Sequence, residues 1–299
     1  MKREIIDFLK MNDVEYKTNY KLSLDSPIRI GGWASVLALP DSCEKLIKLI
    51  KFLNKSKFKY KLLGRMSNVL PPDEDYHGVI IRTDRICDFE ICGNQIKAFC
   101  GCSLSRISSN LCPVGLSGFE GLSGIPGSIG ASVVGNAGAF GRQISDLLSY
   151  VCVYLADEDT TVVLSADDCR LSYRRSYLSQ INCAVLYAVF SLKNTDSSLI
   201  KDEMDRCRLL RKSTQPVGYP SLGSTFKRPS EDCSAARLVD ECGLKGYTVG
   251  GAQISTKHAG FILNIGGATA KDYITLSNYA AECVYSKHGV RLEREVEIL

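Results

Sequence analysis

No stretch of this chain is apolar for long enough to span a bilayer; its hydrophobic runs stop well short of roughly 18 residues. Histidine is scarce, and His77, His258 and His288 are too scattered to read as a metal site. The 13 cysteines form no C-x-x-C pair. Disulfide frameworks belong to small secreted chains and zinc sites want paired spacings, so these thiols read as reduced and mostly buried. Cys100 and Cys102, the one close pair, share a strand face but lack partners for zinc. Charge of one sign is lacking too. A net +4 over 299 residues is too mild to argue for nucleic acid, and the lysines between Lys45 and Lys61 read as a solvated helix face with its exit loop. The opening MKREIIDFLKMNDVEYK carries acids and no apolar core, which reads as no signal peptide, and the reduced thiols read as those of a cytoplasmic protein. Trp33, the single tryptophan, is expected to pack near Gly31 and Gly32. The 45% hydrophobic content still supplies a sizeable core, and the length suits two or three domains.

What is present, and concentrated, is glycine. Nine of 25 glycines fall between Gly115 and Gly141, recurring at every third position as far as Gly130. A helix would lose roughly 1 kcal/mol at each against alanine, so the tract is read as non-helical. Its single proline, Pro126, excludes collagen, and the interleaved Leu116, Phe119, Leu122, Ile125 and Ile129 exclude a polar linker. It reads as a buried loop that a ligand approaches closely. Two more segments, Ile30-Gly31-Gly32 and Leu63-Gly64-Arg65-Met66-Ser67-Asn68, have the character of anion-holding turns. An extended diphosphate, as in a dinucleotide, would account for all three. No G-x-G-x-x-G follows a strand, which argues against a Rossmann domain.

Periodicity predicts a short N-terminal helix around Ile5–Leu9 and a stronger one opened at Asp41 by a capping box with Glu44. Strands are expected at 60–63, 79–82, 86–91, 95–100, 150–155, 161–164 and 184–192, with helices at 103–111 and 200–211. A break near residue 205 precedes an α+β unit. That unit has helices at 233–242 and 270–288, closed by Gly243 and Gly289, and strands at 248–254, 260–265 and 290–299.

Three polar clusters carry potential chemistry: Ser172-Tyr173-Arg174, Gly223-Ser224-Thr225-Phe226-Lys227, and Glu293 with Glu295. A serine hydroxyl is a weak acid. It protonates only a strongly basic carbon or oxygen, with positive charge nearby to hold the developing anion. Taken singly, each cluster reads as surface.

In order and spacing, these segments resemble the UDP-N-acetylenolpyruvoylglucosamine reductase family over residues 23–299. The resemblance rests on Ile30-Gly31-Gly32, Gly64 with Ser67-Asn68, Gly124-Ile125-Pro126-Gly127, Asn136-Ala137-Gly138-Ala139 and Ser172-Tyr173-Arg174. It continues through Gly223–Lys227, Gly250-Gly251-Ala252-Gln253-Ile254-Ser255 and Leu292-Glu293-Arg294-Glu295-Val296. The compact length resembles the family's shorter type.

The resemblance implies an α+β protein. An FAD-binding domain of the vanillyl-alcohol-oxidase (PCMH) type would fill two subdomains, 1–85 and 86–205, followed by a C-terminal α+β substrate-binding domain, 206–299. It implies that NADPH reduces FAD and leaves, and that UDP-GlcNAc-enolpyruvate then accepts hydride at C3 and a proton at C2. The product, UDP-N-acetylmuramate, feeds peptidoglycan synthesis. Carried over by position, Ser224 is the proton donor, and Arg174 and Glu295 hold the substrate carboxylate. Ile30, Gly31, Gly32, Gly64, Arg65, Met66, Ser67, Asn68, Gly124, Ile125, Pro126, Gly127, Ser128, Asn136, Ala137, Gly138 and Ala139 would contact the cofactor. Tyr173, Gln215, Gly223, Lys227 and Gln253 would contact substrate. A monomer with no metal, nucleic-acid or membrane partner is expected.

The chain departs from the family at Arg65 and Met66, where glycines are usual, and at Ala131. A left-handed non-glycine residue there costs roughly 1 kcal/mol and crowds a diphosphate, whereas Arg65 adds a charge suited to a phosphate. Two other readings stay open: a flavin-free nucleotide-sugar-binding paralogue, and a different flavin oxidoreductase on the same fold.

Overall fold

The structure, a computed structural model, describes residues 2–299. The chain forms two compact units, the first made of residues up to Asn19, Ser35–Arg65 and His77–Leu209. The second takes Tyr20–Ala34, Met66–Tyr76 and Leu210–Leu299. Two early segments thus group with the last ninety residues. The helix Ser197–Thr214 runs unbroken through residue 205, and the units divide after Leu209.

In the first unit, an antiparallel sheet runs in the order Thr160–Ser165, Leu148–Leu155, Cys183–Ser191, Gln95–Phe99 and Phe89–Cys92. Its central strand is buried on both faces over most of its length, as its unbroken apolar sequence CAVLYAVFS demands. A second sheet has the order Glu15–Lys21, Trp33–Leu39, Tyr76–Arg82 and Tyr60–Leu63, the last two strands parallel. The helix Cys43–Lys55 buries Leu46, Leu49, Ile50 and Leu53 in one contiguous core with the five-stranded sheet.

The second unit has a smaller antiparallel sheet, ordered Ser221–Ser224, Phe261–Asn264, Ala252–Ile254 and Thr248–Val249. The helices Ala235–Glu241 and Ala270–His288 pack on each other, and the longer one also covers the hairpin. That helix starts from a reciprocal Thr269–Asp272 capping box. Asp73 adds its carboxylate, accepting from the N–H groups of Ala270 (2.7 Å) and Lys271 (3.0 Å). It ends at left-handed Gly289, and Gly243 follows the shorter helix at φ +71°.

Several expectations need correction. The cap at 41–44 is Ser42, which accepts from Lys45 N–H at 3.2 Å; Glu44 closes no box and instead pairs with Lys48. The strand expected from Ile86 starts at Phe89, because a Thr83–Ile86 turn precedes it. The strand Trp33–Leu39 has no counterpart among the sequence expectations, and Trp33 itself is 48% exposed. Five cysteines are buried, seven partly buried and Cys92 exposed, so burial is less general than expected. The glycine tract is not helix-free: Ile129–Val134 forms a short helix packed on the strand Cys183–Ser191. Only one glycine, Gly130, lies inside it, so the tertiary contact outweighs the propensity loss. The expected C-terminal strand shrinks to Glu297–Ile298. Its backbone changes partners midway. Glu293 O and Glu295 N–H pair with Lys227 and Thr225, then Glu297 and Leu299 donate to Asn68 and Leu70.

Candidate active site

Within the first unit the glycine tract is tied down by its backbone. Ile129 and Gly130 N–H donate to Cys102 O and Cys100 O, both at 2.8 Å, and Leu104 N–H donates to Gly127 O. A Cβ on Gly130 would lie 3.0 Å from that of Cys100, and one on Gly64 would overlap Ser128 Oγ. Gly127, Ser128 and Gly130 are buried, Ile125 is half-buried, and Gly124 and Pro126 reach solvent. Ser128 is fully buried, yet its hydroxyl caps nothing and has no hydrogen-bond partner. An unmet buried hydroxyl costs about 1–3 kcal/mol, a demand that a phosphate oxygen would satisfy. This orphan hydroxyl, packed against Gly64, therefore fits a diphosphate-containing cofactor. Arg65, beside Gly64, is exposed.

Asn136-Ala137-Gly138-Ala139 leads into a second local structure. Ser172 and Arg175 exchange backbone hydrogen bonds at 3.0 and 3.2 Å, which makes Tyr173 and Arg174 the centre of a tight turn. Arg174 is left-handed at φ +55°. Its Nη2 donates to Gly138 O at 3.1 Å, its Nη1 to Asn136 O at 3.5 Å, and its guanidinium lies 5.0 Å from the Tyr173 ring centroid.

In the second unit, Ser224 ends a strand and is exposed, after left-handed Gly223 with open space around it. Thr225 is 1% exposed. It holds the segment from both sides, its N–H donating to Gly260 O and its carbonyl accepting from Glu295 N–H at 2.9 Å. Its Oγ1 accepts from Tyr273 OH at 3.2 Å, and burial pushes that phenol's pKa well up, so it stays a donor. Glu295 O in turn accepts from Asn68 Nδ2 at 2.9 Å. Ser224 and Glu295 thus lie on adjacent segments, either side of the Thr225–Glu295 bond. Lys227 pairs with Glu293 at 2.6 Å.

The other positions in this unit are more local. Gly31 sits at φ +141°. Ile30 is buried, and a Cβ on Gly32 would come 2.6 Å from Glu74 O. Met66 is left-handed at φ +57° and 3% exposed, while Ser67 is half-buried. Gln215 Oε1 accepts from Arg211 one helical turn back. The amide of Gln253 donates to Gly246 O and Thr248 Oγ1 within its own hairpin.

A family profile described as the UDP-N-acetylenolpyruvoylglucosamine reductase C-terminal domain matches residues 215–299, and one described as an FAD binding domain matches 34–163. A UDP-N-acetylenolpyruvoylglucosamine reductase of Caldicellulosiruptor bescii is 39% identical over 294 residues, covering 98% of this chain and 93% of its own. The chain belongs to the UDP-N-acetylenolpyruvoylglucosamine reductase family. A member from Streptococcus pneumoniae is 37% identical over 299 residues, all of this chain and 98% of its own. The crystal structure of the reductase (MurB) from Thermus caldophilus superposes with a TM-score of 0.80 at 31% identity, covering 95% of this chain and 98% of that one. The α+β architecture with an FAD-binding domain and a C-terminal reductase domain is that of the family.

As a family member, the chain divides its carried-over positions between the units. Gly64, Arg65, Gly124–Ser128, Asn136–Ala139, Tyr173 and Arg174 lie in the first; Ile30–Gly32, Met66–Asn68, Gln215, Gly223, Ser224, Lys227, Gln253 and Glu295 lie in the second. Sequence reasoning missed Thr225 and Tyr273 as supports of the Ser224 segment. Nothing local marks Tyr273, which reads as one more buried residue of a long helix. Among the described residues no three potential metal ligands cluster, and no helix is long and apolar enough to cross a membrane. His258 is a local acceptor for Gly260 N–H at 3.1 Å, and burial lowers its pKa.

Proposed function

We propose that this family member is an FAD-containing, NADPH-consuming reductase that converts UDP-GlcNAc-enolpyruvate to UDP-N-acetylmuramate for peptidoglycan synthesis. The observation that carries the reading is the Thr225–Glu295 backbone pair, which sets an exposed serine and a half-buried carboxylate on adjacent segments.

When bound, FAD would take hydride from NADPH and supply it to C3 of the enolpyruvyl group. Residues 1–205 would hold it, through Gly31-Gly32, Gly64, Arg65 and the buried Gly127-Ser128 corner, with the Ser128 hydroxyl donating to phosphate. Residues 206–299, together with Tyr173 and Arg174, would present the groups that meet substrate. Ser224 would give its proton to C2, which hydride addition at C3 makes carbanionic and hence basic enough for so weak an acid. Arg174 would hold the substrate carboxylate and lower the energy of that intermediate, with Glu295 as its catalytic partner. Lys227 would meet the substrate diphosphate by exchanging Glu293 for it, and Tyr173, Gln215, Gly223 and Gln253 would shape the sugar-nucleotide site.

The test is the visible spectrum of the freshly purified protein under anaerobic conditions. Bound flavin that bleaches with NADPH and recovers on adding UDP-GlcNAc-enolpyruvate is expected. A colourless protein that refuses added FAD would overturn the reading and leave a nucleotide-sugar-binding paralogue in its place.

A further inference from the structure

We propose that Asn136 is a positioning residue for Arg174 rather than a contact to the cofactor. The proposal rests on the role given to Arg174 in the preceding reading. Asn136 is completely buried, and its side chain is fully oriented. Nδ2 donates to Ser172 O at 2.9 Å and to Gln143 Oε1 at 3.3 Å, while Oδ1 accepts from Ser145 N–H at 3.0 Å. Both amide hydrogens and the amide oxygen are therefore engaged inside the protein.

The Ser172 carbonyl that Asn136 grips is the one that closes the Ser172–Arg175 turn. At the same time, the main-chain carbonyl of Asn136 accepts from the Arg174 guanidinium, as does that of Gly138 two residues on. One residue thus holds the turn's backbone through its side chain and the turn's cation through its backbone. Asn136 is left-handed at φ +42°, a conformation that asparagine tolerates better than most side chains. Ser176 Oγ donates to Val134 O at 2.6 Å, adding a clamp just past the turn. Arg174, itself left-handed, is held on three sides.

The test compares Asn136→Ala, Arg174→Ala and the double variant. It measures FAD titration of the apoprotein alongside steady-state kinetics of the holoenzyme. Asn136→Ala should bind FAD within about 3-fold of the parent but lose on the order of 10- to 100-fold in kcat/KM for the enolpyruvyl substrate. The double variant should be no worse than Arg174→Ala, because the two residues act as one unit. Added guanidinium should partly restore Arg174→Ala and not the double variant. A large loss of FAD affinity with normal turnover of the loaded fraction would overturn the proposal; so would losses that multiply in the double variant. Should Asn136→Ala not fold, Asn136→Asp keeps the acceptor for Ser145 while removing the donor to Ser172. The same pattern is expected of it, and parent-like kinetics would overturn the proposal. An Arg174→Ala protein that turns over like the parent would instead sink the functional reading itself.

Discussion

In the first unit the side chains Asn136 and Arg174 sit on left-handed backbone, whereas in the second Ser224 and Glu295 lie on segments placed by pairing. Asn136 and Arg174 both have positive φ, and Gly64 abuts Ser128 so closely that no side chain fits. Around Ser224, just past left-handed Gly223, and around Glu295 the support comes from pairing: Thr225 and Lys227 with Glu295 and Glu293, and Glu297 and Leu299 with Asn68 and Leu70. The first arrangement is a shape made by glycine and asparagine, which tolerate such backbone, and by the hydrogen bonds that hold Arg174 in it. The second is a position made by strand-like hydrogen bonds between chain segments about seventy to more than two hundred residues apart. A glycine substitution in the first should act on shape and stability, and one at an exposed side chain in the second on chemistry.

The largest expected effect separates the two. Ser224→Ala removes an exposed hydroxyl and no packing, so flavin reduction by NADPH should be untouched while reoxidation by the enolpyruvyl substrate slows about 10²- to 10⁴-fold. Rapid-mixing absorbance would show both half-reactions, and unimpaired reoxidation would remove Ser224 from the mechanism.

Two glycines should give the next largest effects. Gly32→Ala drives a methyl against the Glu74 carbonyl, which has no rotamer to change, so a loss of about 2–3 kcal/mol is expected in urea melts. Gly64→Ala instead meets the Ser128 side chain, and Ser128→Ala should restore most of the lost stability but not FAD affinity. Recovery of both would deny the Ser128 hydroxyl any part in holding the cofactor.

Met66 puts a strained residue in the second unit. Glycine there would relieve roughly 1 kcal/mol of left-handed strain but expose the site of a side chain whose burial is worth about 1.5–3 kcal/mol. Met66→Gly should therefore lower stability by about 1 kcal/mol or slightly more, and a stabilised variant would show that strain outweighs packing.

The smallest effect is electrostatic. The Thr269 backbone N–H, in the cap of the long helix, holds the Asp272 carboxyl below the usual carboxylate range. Because its folded pKa is depressed, the stability it contributes is present above its unfolded pKa of about 4 and fades as pH falls through the folded value. Asp272→Asn should cost about 1 kcal/mol at neutral pH, and the gap to the parent should close as pH falls through the depressed folded pKa. A gap independent of pH would mean that shape, not charge, makes the cap.

Much of the first unit's site was legible because glycine spacing is a local property. The tract from Gly115 to Gly141 marks itself as limited by backbone, and the crowding at Gly64 and Gly130 agrees. The helix Ile129–Val134 was not legible, since six residues hold that shape only against the strand Cys183–Ser191. Ser224 and Glu295 stood out as polar clusters, but only the family resemblance gave them roles; taken singly they read as surface. The end of the chain alternates like a strand, yet its hydrogen bonds pass from Thr225 and Lys227 to Asn68 and Leu70, leaving only the two-residue parallel ladder of Glu297–Ile298.

By itself, then, the sequence determined where glycine forbids side chains, where apolar periodicity builds a helix or strand, and which family's order of segments the chain follows. These are properties of neighbours along the chain. Only the tertiary structure decided that Asn136 anchors the Arg174 turn, that Asp73 caps the last long helix, and that Thr225 joins Ser224 to Glu295. Each of those is a hydrogen bond between residues from 36 to about two hundred positions apart. Buried backbone groups must find partners somewhere, and no local pattern says which distant segment will supply them.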